Sequence, residues 1–301
     1  MNKEKFKSGF VAILGRTNVG KSTLINSLVG EKVAIMTNKP QTTRTAIRAI
    51  VNRKNSQIIF IDTPGIHKPK SKLSETMIDT AFGITDDVDV ILFLIEATSE
   101  EIGRGDRKIL EKIKDKKQSK ILIINKIDLV KKEKLLNLID LYRKECDFKA
   151  VIPISALKEK NTQVVLEEIE KLLPEGPAYY DVEEYTDQTM RQIVEETIRE
   201  KALKLLDDEV PHGIYVEVEK MKLKKTKNGD EIYDIEATIY CLRDSHKGII
   251  IGKNGERLKK IGTYARQDME KILGTKVNLK TWVKVRKDWL DNEKFVNKFK
   301  L

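Results

Sequence analysis

The sequence predicts an α/β domain with a mostly parallel sheet, followed by a smaller α+β domain. Residues 9–173 alternate short, continuously apolar runs with helix-period stretches, which is typical of a parallel sheet covered by helices on both faces. A stretch rich in proline, aromatic and acidic residues (173–187) interrupts this rhythm. Beyond it the predicted order becomes α-β-β-α-α-β. We therefore predict a first domain (1–174), a linker (175–187) and a second domain (188–301).

Six strands are predicted in the first domain, at 10–14, 45–52, 57–62, 88–96, 120–125 and 150–155. The helix-period stretches that separate most of them read KSTLINSLVG, SETMIDTAFG, RKILEKIK, KLLNLIDLYRK and VVLEEIEKLL. Only the four residues RKNS join the second strand to the third, which predicts a hairpin and one antiparallel edge.

The second domain begins with a predicted helix at about 188–207. Two strands, 213–222 and 231–241, flank a turn signal at Asn228-Gly229. A pair of helices around GKNG and a last strand then complete the order, at 246–273 and 276–286.

The composition favours a polyanionic partner. The 301 residues include 57 Lys and Arg against 47 Asp and Glu, a net charge of +10, and residues 188–301 carry 25 of those basic and 19 of those acidic side chains. The two cysteines are far apart and in no Cys-x-x-Cys arrangement, so no disulfide scaffold or zinc site is implied. With no apolar run of about 18 residues and no signal-peptide pattern at the start, we expect a cytoplasmic protein.

The segment GRTNVGKS (15–22) fits the pattern of a phosphate-binding loop between a strand and a helix. Its glycines let backbone N–H groups point at phosphates, Lys21 would neutralise phosphate oxygens, and the Ser22 hydroxyl would ligate Mg²⁺. We expect the nucleotide to contact Gly15, Arg16, Thr17, Asn18, Val19, Gly20, Lys21, Ser22 and Thr23.

The segment NKID follows a buried strand and indicates which base is bound. The Asp128 carboxylate only accepts hydrogen bonds, so it suits guanine, whose N1–H and 2-amino group are adjacent donors. We expect Asn125 to brace the loop and the Lys126 stem to cover the purine face. In SAL one strand later, the Ala156 N–H could donate to guanine O6. The predicted base-binding residues are Asn125, Lys126, Ile127, Asp128, Ser155, Ala156 and Leu157.

Two loops between these segments predict the rest of a triphosphate site. In DTPG, Asp62 would hold Mg²⁺ through a water, and the Gly65 N–H would sense the γ-phosphate. In QTTR, Thr43 is the preferred second hydroxyl ligand, although the register leaves Thr42 open. The metal ligands are thus predicted as Ser22, Thr43 and Asp62, and the catalytic groups as Lys21, Thr43 and Gly65. The predicted nucleotide contacts at the end of strand 57–62 are Asp62, Thr63, Pro64, Gly65 and Ile66.

Together these five motifs resemble those of small GTPases of the translation-factor class. Signalling GTPases carry a water-positioning glutamine after D-x-x-G, but Ile66 stands there, so we expect slow intrinsic hydrolysis unless another group or partner helps. The resemblance also suggests that Asn18 could use K⁺ as a substitute for an arginine finger; an asparagine that only braces the loop is the alternative. We expect His67 to be a solvated loop residue.

The second glycine loop, GKNG (252–255), fits G-x-x-G between paired helices and resembles the loop of a type II KH domain. Because glycine has no Cβ, a single-stranded nucleic-acid backbone can approach the loop closely. Predicted RNA-binding residues are Lys247, Gly248, Ile249, Ile250, Ile251, Gly252, Lys253, Asn254, Gly255 and Arg257, with the run of isoleucines as the floor of a groove.

A GTPase domain followed by one KH domain resembles the layout of the bacterial Era GTPases, over nearly the whole chain. The resemblance implies GTP and GDP as substrate and product, and binding near the 3′ end of small-subunit ribosomal RNA. It also implies help in maturing the small (30S) subunit and weak peripheral contact with the membrane. We expect a monomer.

Two alternatives stay open: an RNA-binding protein with a non-hydrolysing nucleotide site, and a membrane-associated signalling GTPase with a protein-adaptor domain. The tail KDWLDNEKFVNKFKL could be a membrane-surface helix, but its acidic residues favour a helix that packs on its own domain.

Overall fold

The computed structural model describes residues 5–37, 39, 42–44, 46–66, 69, 71–207, 210–226 and 228–297. His67 lies outside the described residues. No helix in these ranges is long and apolar enough to cross a lipid bilayer.

The chain forms two compact units. One holds residues up to 34 and residues 43–187, and the other holds residues 35–42 and 188–296. The predicted domain bounds remain a prediction, and these units differ from them in the placement of the segment 35–42 and of the predicted linker.

The first unit contains a six-stranded sheet whose order is β2-β3-β1-β4-β5-β6. All neighbouring strands run parallel except β2 and β3, which form the predicted antiparallel hairpin. The predicted α/β fold class is confirmed. The strands are β1 (Lys7–Gly15), β2 (Ile47–Arg53), β3 (Ser56–Asp62), β4 (Val90–Glu96), β5 (Ser119–Asn125) and β6 (Ala150–Pro153).

Helices cover both faces of this sheet, so its strands are apolar on both sides. In β1, Val11 and Ile13 belong to one buried cluster, whereas Ala12 and Leu14 belong to the other. The carboxyl ends of the parallel strands share one edge, where ligands of such sheets bind. The helices are α1 (Lys21–Val29), α2 (Lys72–Gly83), α3 (Arg104–Ile113), α4 (Lys132–Arg143) and α5 (Thr162–Leu172).

The predicted linker is an ordered segment of the first unit, which we call the strap (175–187). It runs along the outer edge of β2. The Ile50 N–H donates to the Tyr185 carbonyl at 3.0 Å, and Thr186 Oγ1 donates to the Arg48 carbonyl at 2.9 Å. The strap therefore supplies hydrogen-bond partners to an edge strand that would otherwise lack them.

The second unit has the predicted α-β-β-α-α-β order. In its sheet β7 pairs antiparallel with β8, and β8 pairs parallel with β9. Its elements are α6 (Met190–Leu205), β7 (Tyr215–Lys225), β8 (Glu231–Cys241), α7 (Asp244–Ile251), α8 (Glu256–Leu273), β9 (Lys276–Val285) and a short C-terminal α9 (Glu293–Val296).

Two further segments pack within this second unit. Ile35 lies in its buried core, and the guanidinium of the buried Arg199 donates to the Thr42 carbonyl. The tail up to residue 296 packs on its own unit, as the interpretation of its sequence favours, and residues 298–301 lie outside the described residues. Trp289 is buried, donates from Nε1 to the Gly213 carbonyl at 3.1 Å, and contacts the ring of Tyr215.

Candidate functional site

The phosphate-binding loop joins the end of β1 to the start of α1. Asn18 (φ 64°) and Gly20 (φ 102°) adopt left-handed backbone conformations, so the chain turns sharply before the helix begins at Lys21. No acidic residue lies in the first turn of α1. The free N–H groups and positive dipole end of this helix therefore favour an anion at the loop.

Lys21 is a buried cation. Its Nζ donates to the carbonyl oxygens of Gly15 and Arg16, each at 3.1 Å, so the ammonium group lies inside the loop. Burial lowers the pKa of Lys21 to about 8, against the opposing attraction of Asp62. A bound polyphosphate would reverse this effect, because its negative charge stabilises the ammonium form.

Three of the predicted metal-binding side chains meet beside Lys21. Ser22 Oγ lies 3.1 Å from Thr43 Oγ1, and both lie 3.1 Å from Asp62 Oδ2. Neighbouring ligands of an octahedral Mg²⁺ with bonds of 2.0–2.1 Å are separated by about 3.0 Å. The spacing of the Ser22 and Thr43 hydroxyls therefore fits two direct ligands of this ion, and the Asp62 carboxylate, predicted to hold it through a water, lies next to both.

Thr42, the alternative ligand, points elsewhere. Its hydroxyl bonds with Thr37 Oγ1 at 2.8 Å and donates to the Lys39 carbonyl at 2.7 Å. Asp62, by contrast, retains an oxygen for a cation, since within the described residues no donor reaches its buried Oδ1. Burial raises the pKa of Asp62, and Lys21 opposes that effect. These observations favour Thr43 over Thr42.

The segment after β3 lies against the phosphate-binding loop. Asp62, Thr63, Pro64, Gly65 and Ile66 are all buried. The Ile66 N–H donates to the Gly15 carbonyl at 3.1 Å, and its side chain belongs to the apolar cluster on one face of the sheet. The Ile66 side chain therefore offers no group that could orient a water molecule.

Asn125 connects the loop to the predicted base-binding segments. Its Nδ2 donates to the Val19 carbonyl at 2.9 Å, which is the predicted bracing contact. Its Oδ1 accepts from the Ala156 N–H at 2.9 Å. The Ala156 N–H was predicted to donate to guanine O6, but in the structure it already donates to Asn125 Oδ1.

The predicted base acceptor, Asp128, is held by its neighbours. Ser155 Oγ donates to Asp128 Oδ1 at 2.6 Å, and Lys158 Nζ lies 3.7 Å from its other oxygen. The hydrogen bond from Ser155 is the main reason that the pKa of Asp128 is lowered. This carboxylate therefore stays ionised and acceptor-only at neutral pH. Ile127 and Leu157 lie at the same end of the sheet, and Leu157 is exposed.

The loop 252–255 of the second unit has the backbone of a tight, open turn. Gly252 (φ 74°), Asn254 (φ 50°) and Gly255 (φ 80°) all have positive φ. A Cβ on Gly252 would lie 2.8 Å from the Cβ of Arg257, so only glycine fits there. Lys253 and Asn254 are exposed at the tip.

The prediction that Ile250 lines an exposed RNA-binding groove is wrong. Ile250 is fully buried in the core of the second unit, so it cannot floor a groove, whereas Ile249 is 42% exposed. The reason is helical periodicity, because consecutive residues of α7 point in different directions. The Arg257 side chain already has a partner within the protein, since its Nη1 donates to the Ile249 carbonyl at 2.7 Å.

A cleft of about 360 Å³ extends from this loop between α8 and β9. The sequence interpretation missed most of its lining. The available signal is the pair of small residues Gly262-Thr263 in helix α8, since small residues leave space beside the sheet. The lining residues are Gly255, Leu258, Lys259, Gly262, Thr263, Arg266, Leu279 and Thr281.

Comparison with known proteins identifies the domain family of each part of the chain. Residues 10–126 match the family described as 50S ribosome-binding GTPase, and residues 209–290 match the KH domain family. The GTPase Era of Clostridioides difficile is 53% identical over 98% of both chains. The GTPase Era of Caldanaerobacter subterraneus is 55% identical over 97% of both chains.

Two solved structures are similar over almost their full length. One is Era in complex with MgGDPNP and nucleotides 1506–1542 of 16S ribosomal RNA, with 41% identity, a TM-score of 0.92 and 98% of each chain covered. The other is a single-residue variant of Aquifex aeolicus Era bound to GDP and AlF₄⁻, with 40% identity, a TM-score of 0.92, and 98% of this chain and 99% of that one covered. The chain described here belongs to the Era family of GTPases.

Proposed function

We propose that this chain is a GTP-hydrolysing switch that binds the 3′ region of small-subunit ribosomal RNA and assists assembly of the 30S subunit. The observation that carries the proposal is the meeting of Ser22, Thr43 and Asp62 beside the buried Lys21. These residues come from three separate segments of the chain. Their hydroxyl and carboxylate oxygens would hold Mg²⁺ against the phosphates, and the similarity to an Era bound to MgGDPNP supports this.

The residues of the chain divide the work of hydrolysis. When bound, Mg²⁺ supplies charge neutralisation at the phosphate oxygens. Lys21 binds and orients the phosphates from within the loop, and the Gly65 N–H would meet the γ-phosphate. Asp128 selects guanine at the other end of the site, and Asn125 braces the loop between the two ends. Since Ile66 is buried and apolar, we propose that intrinsic turnover is slow and that hydrolysis acts as a timer.

A monovalent cation is a finer part of the proposal. Asn18 occupies the phosphate-binding loop in a left-handed conformation, where its side chain could help to hold K⁺ beside the phosphates or could only brace the loop. Single-turnover hydrolysis in K⁺ and in Na⁺ distinguishes these roles. Equal rates in the two salts would remove the proposed role of Asn18 in cation binding.

The second unit provides the proposed RNA site. Its exposed Lys253 and Asn254 project from a loop whose glycines permit close approach, and the cleft between α8 and β9 continues from this loop. Arg266, paired with Glu270 at 2.8 Å, and Lys259 add basic groups along the cleft. The partner and its 3′ region are proposed from the similarity to the Era bound to nucleotides 1506–1542 of 16S RNA.

A charge reversal in the loop tests this function. We expect Lys253→Asp to weaken binding of a 3′-end small-subunit rRNA oligonucleotide by about 5- to 150-fold, since a lost phosphate contact and a new repulsion are worth roughly 1–3 kcal/mol. The slope of log Kd against log salt should also fall. GTP hydrolysis without RNA should not change.

The matched control is Lys271→Asp, an exposed lysine near the other end of α8. At 1.5 Å per residue it lies roughly 25 Å along the helix from the loop, well beyond the screening length of physiological salt. Equal RNA affinity in wild type and Lys253→Asp would remove the RNA site. Binding of liposomes in place of RNA would favour the membrane-signalling alternative, and tight GDP binding without hydrolysis would favour a purely RNA-binding protein.

We propose a cytoplasmic location for this activity. The buried Trp289 and the packing of Phe295 on Tyr215, with ring centroids 5.4 Å apart, leave these tail aromatics engaged with their own unit. This packing argues against peripheral membrane contact through these rings.

A further inference from the structure

The described residues contain a network of charged side chains that the proposed chemistry does not use. Asp106 of α3 is fully buried, although the other buried residues of that helix, Ile109, Leu110 and Ile113, are apolar. Its Oδ1 accepts from Arg16 Nε at 2.9 Å and its Oδ2 accepts from the Tyr142 hydroxyl at 3.0 Å. A buried charged pair is weak evidence for stability, because desolvation offsets much of the attraction.

The partner of Asp106 is a residue of the phosphate-binding loop. The stem of Arg16 lies on Gly105, where a Cβ would come within 2.7 Å of Arg16 Cδ. The guanidinium also donates to Ser99 Oγ at 3.2 Å. These contacts fix one conformation of a side chain that otherwise has many rotamers. The carbonyl oxygen of the same Arg16 accepts from the Nζ of Lys21.

Glu96, at the end of β4, connects this group to the base-binding segment. One oxygen lies 3.8 Å from Arg16 Nη2, and the other accepts from Lys126 Nζ at 2.7 Å. Lys126 has a left-handed backbone (φ 65°), so its side chain is directed by a turn that few residue types adopt readily. A continuous series of contacts therefore runs from Lys21 through Arg16 and Glu96 to Lys126.

We propose that Asp106 and Glu96 are positioning residues for nucleotide binding. Asp106 holds Arg16, and hence the carbonyl that orients Lys21. Glu96 holds Arg16 and Lys126 together, so the phosphate-binding and base-binding segments are arranged before the nucleotide arrives. Preorganisation of this kind raises affinity because less ordering is required on binding. The inference rests on the proposed function, in which Lys21 meets the phosphates and Lys126 covers the purine.

Two charge-removing variants of unchanged size test the proposal. We expect Glu96→Gln and Asp106→Asn each to raise the Kd for GDP by about 5- to 30-fold, as weakened charge-assisted contacts of roughly 1–2 kcal/mol would do. The control is Glu100→Gln, whose side chain is 84% exposed and pairs with Lys134 at 3.0 Å. Its Kd for GDP should stay within about twofold of wild type.

A double-mutant cycle separates positioning from a merely structural role. Arg16→Met and Lys126→Met should be non-additive in their effects on GDP affinity, by about fivefold, and the non-additivity should vanish when Glu96→Gln is also present. A purely structural network predicts lower melting temperatures for Glu96→Gln and Asp106→Asn with an unchanged Kd for GDP, and additive effects of Arg16→Met and Lys126→Met on that Kd. Tyr142→Phe removes only the hydroxyl that donates to Asp106, so its melting temperature shows the size of a purely structural loss.

The outcomes also separate this inference from the proposed function. If wild type does not bind GDP, the proposed function itself fails. If wild type and Glu96→Gln bind GDP equally well, and Glu96→Gln leaves the non-additivity of Arg16→Met and Lys126→Met unchanged, only the positioning role is overturned. Should Asp106→Asn fail to fold, Glu96→Gln still decides, because the Glu96 side chain is 27% exposed and carries less packing.

Discussion

Thr43→Ala tests the metal site most directly, and the chain provides its own control one residue earlier. The Thr43 hydroxyl lies 3.1 Å from both Ser22 Oγ and Asp62 Oδ2, whereas the Thr42 hydroxyl bonds with Thr37 and the Lys39 carbonyl. The substitutions Thr43→Ala and Thr42→Ala remove the same atoms from adjacent positions. They therefore differ in the site that each hydroxyl serves.

The expected magnitude follows from what each hydroxyl contacts. A hydroxyl that serves a charged centre contributes roughly 1.5–3 kcal/mol, so Thr43→Ala should weaken Mg²⁺ binding in the GTP-analogue complex by about 10- to 150-fold. The Thr42 hydroxyl makes neutral hydrogen bonds within its own loop, each worth about 1 kcal/mol. Thr42→Ala should therefore change the Mg²⁺ affinity by less than about threefold.

The assay is a Mg²⁺ titration of each variant with a fluorescent, non-hydrolysable GTP analogue, repeated with the corresponding GDP analogue. We expect the loss in Thr43→Ala to be confined to the triphosphate, because γ-phosphate and Mg²⁺ order the corresponding loops of GTPases and their loss on hydrolysis releases those loops. A larger loss in Thr42→Ala, or equal losses in both variants, would refute the assignment of Thr43. An equal loss with the diphosphate would refute its link to the γ-phosphate.

Two further predictions concern ionisation at the site. Since the pKa of free Lys21 is about 8 and phosphates favour its charged form, GDP binding at pH 8 should take up about half a proton, and affinity should fall as pH rises above 8. Calorimetry in buffers of different ionisation enthalpy measures this uptake, and its absence contradicts the assignment. Ser155→Ala should raise the pKa of Asp128 and weaken GDP binding by about tenfold. On acidification, this variant should begin to lose GDP binding at a higher pH than wild type does. Lys158→Met, which removes a largely exposed partner, should change Kd by less than about threefold, and equal effects of the two variants on Kd would contradict the role of Ser155.

The sequence predicted those parts of the site that depend on local pattern. The strand-loop-helix context of residues 15–22, the hairpin at RKNS and the choice of Thr43 over Thr42 agree with the geometry. Each follows from glycine, hydroxyl and carboxylate residues placed at strand ends, where a parallel sheet brings loops together. Their metal-binding and nucleotide-binding roles stay predictions.

Long-range pairing was not predictable in the same way. Arg16 and Asp106 are 90 positions apart, and no spacing rule links them. A signal existed nonetheless, since Asp106 occupies the first position of the buried stripe completed by Ile109, Leu110 and Ile113, where a carboxylate is out of place. The Ala156 N–H was predicted for guanine without allowance for Asn125 Oδ1 as a competing acceptor.

The strap also has a consequence for any shortened form of the protein. A fragment ending at residue 174 would retain every nucleotide-binding motif yet leave the seven-residue strand β2 with a bare outer edge. Uncovered edges of this kind recruit strands from other molecules, so such a fragment should self-associate and precipitate at concentrations where a fragment ending at residue 187 remains monodisperse. The piece of chain that suffices to recognise a nucleotide is therefore shorter than the piece that can be handled in solution.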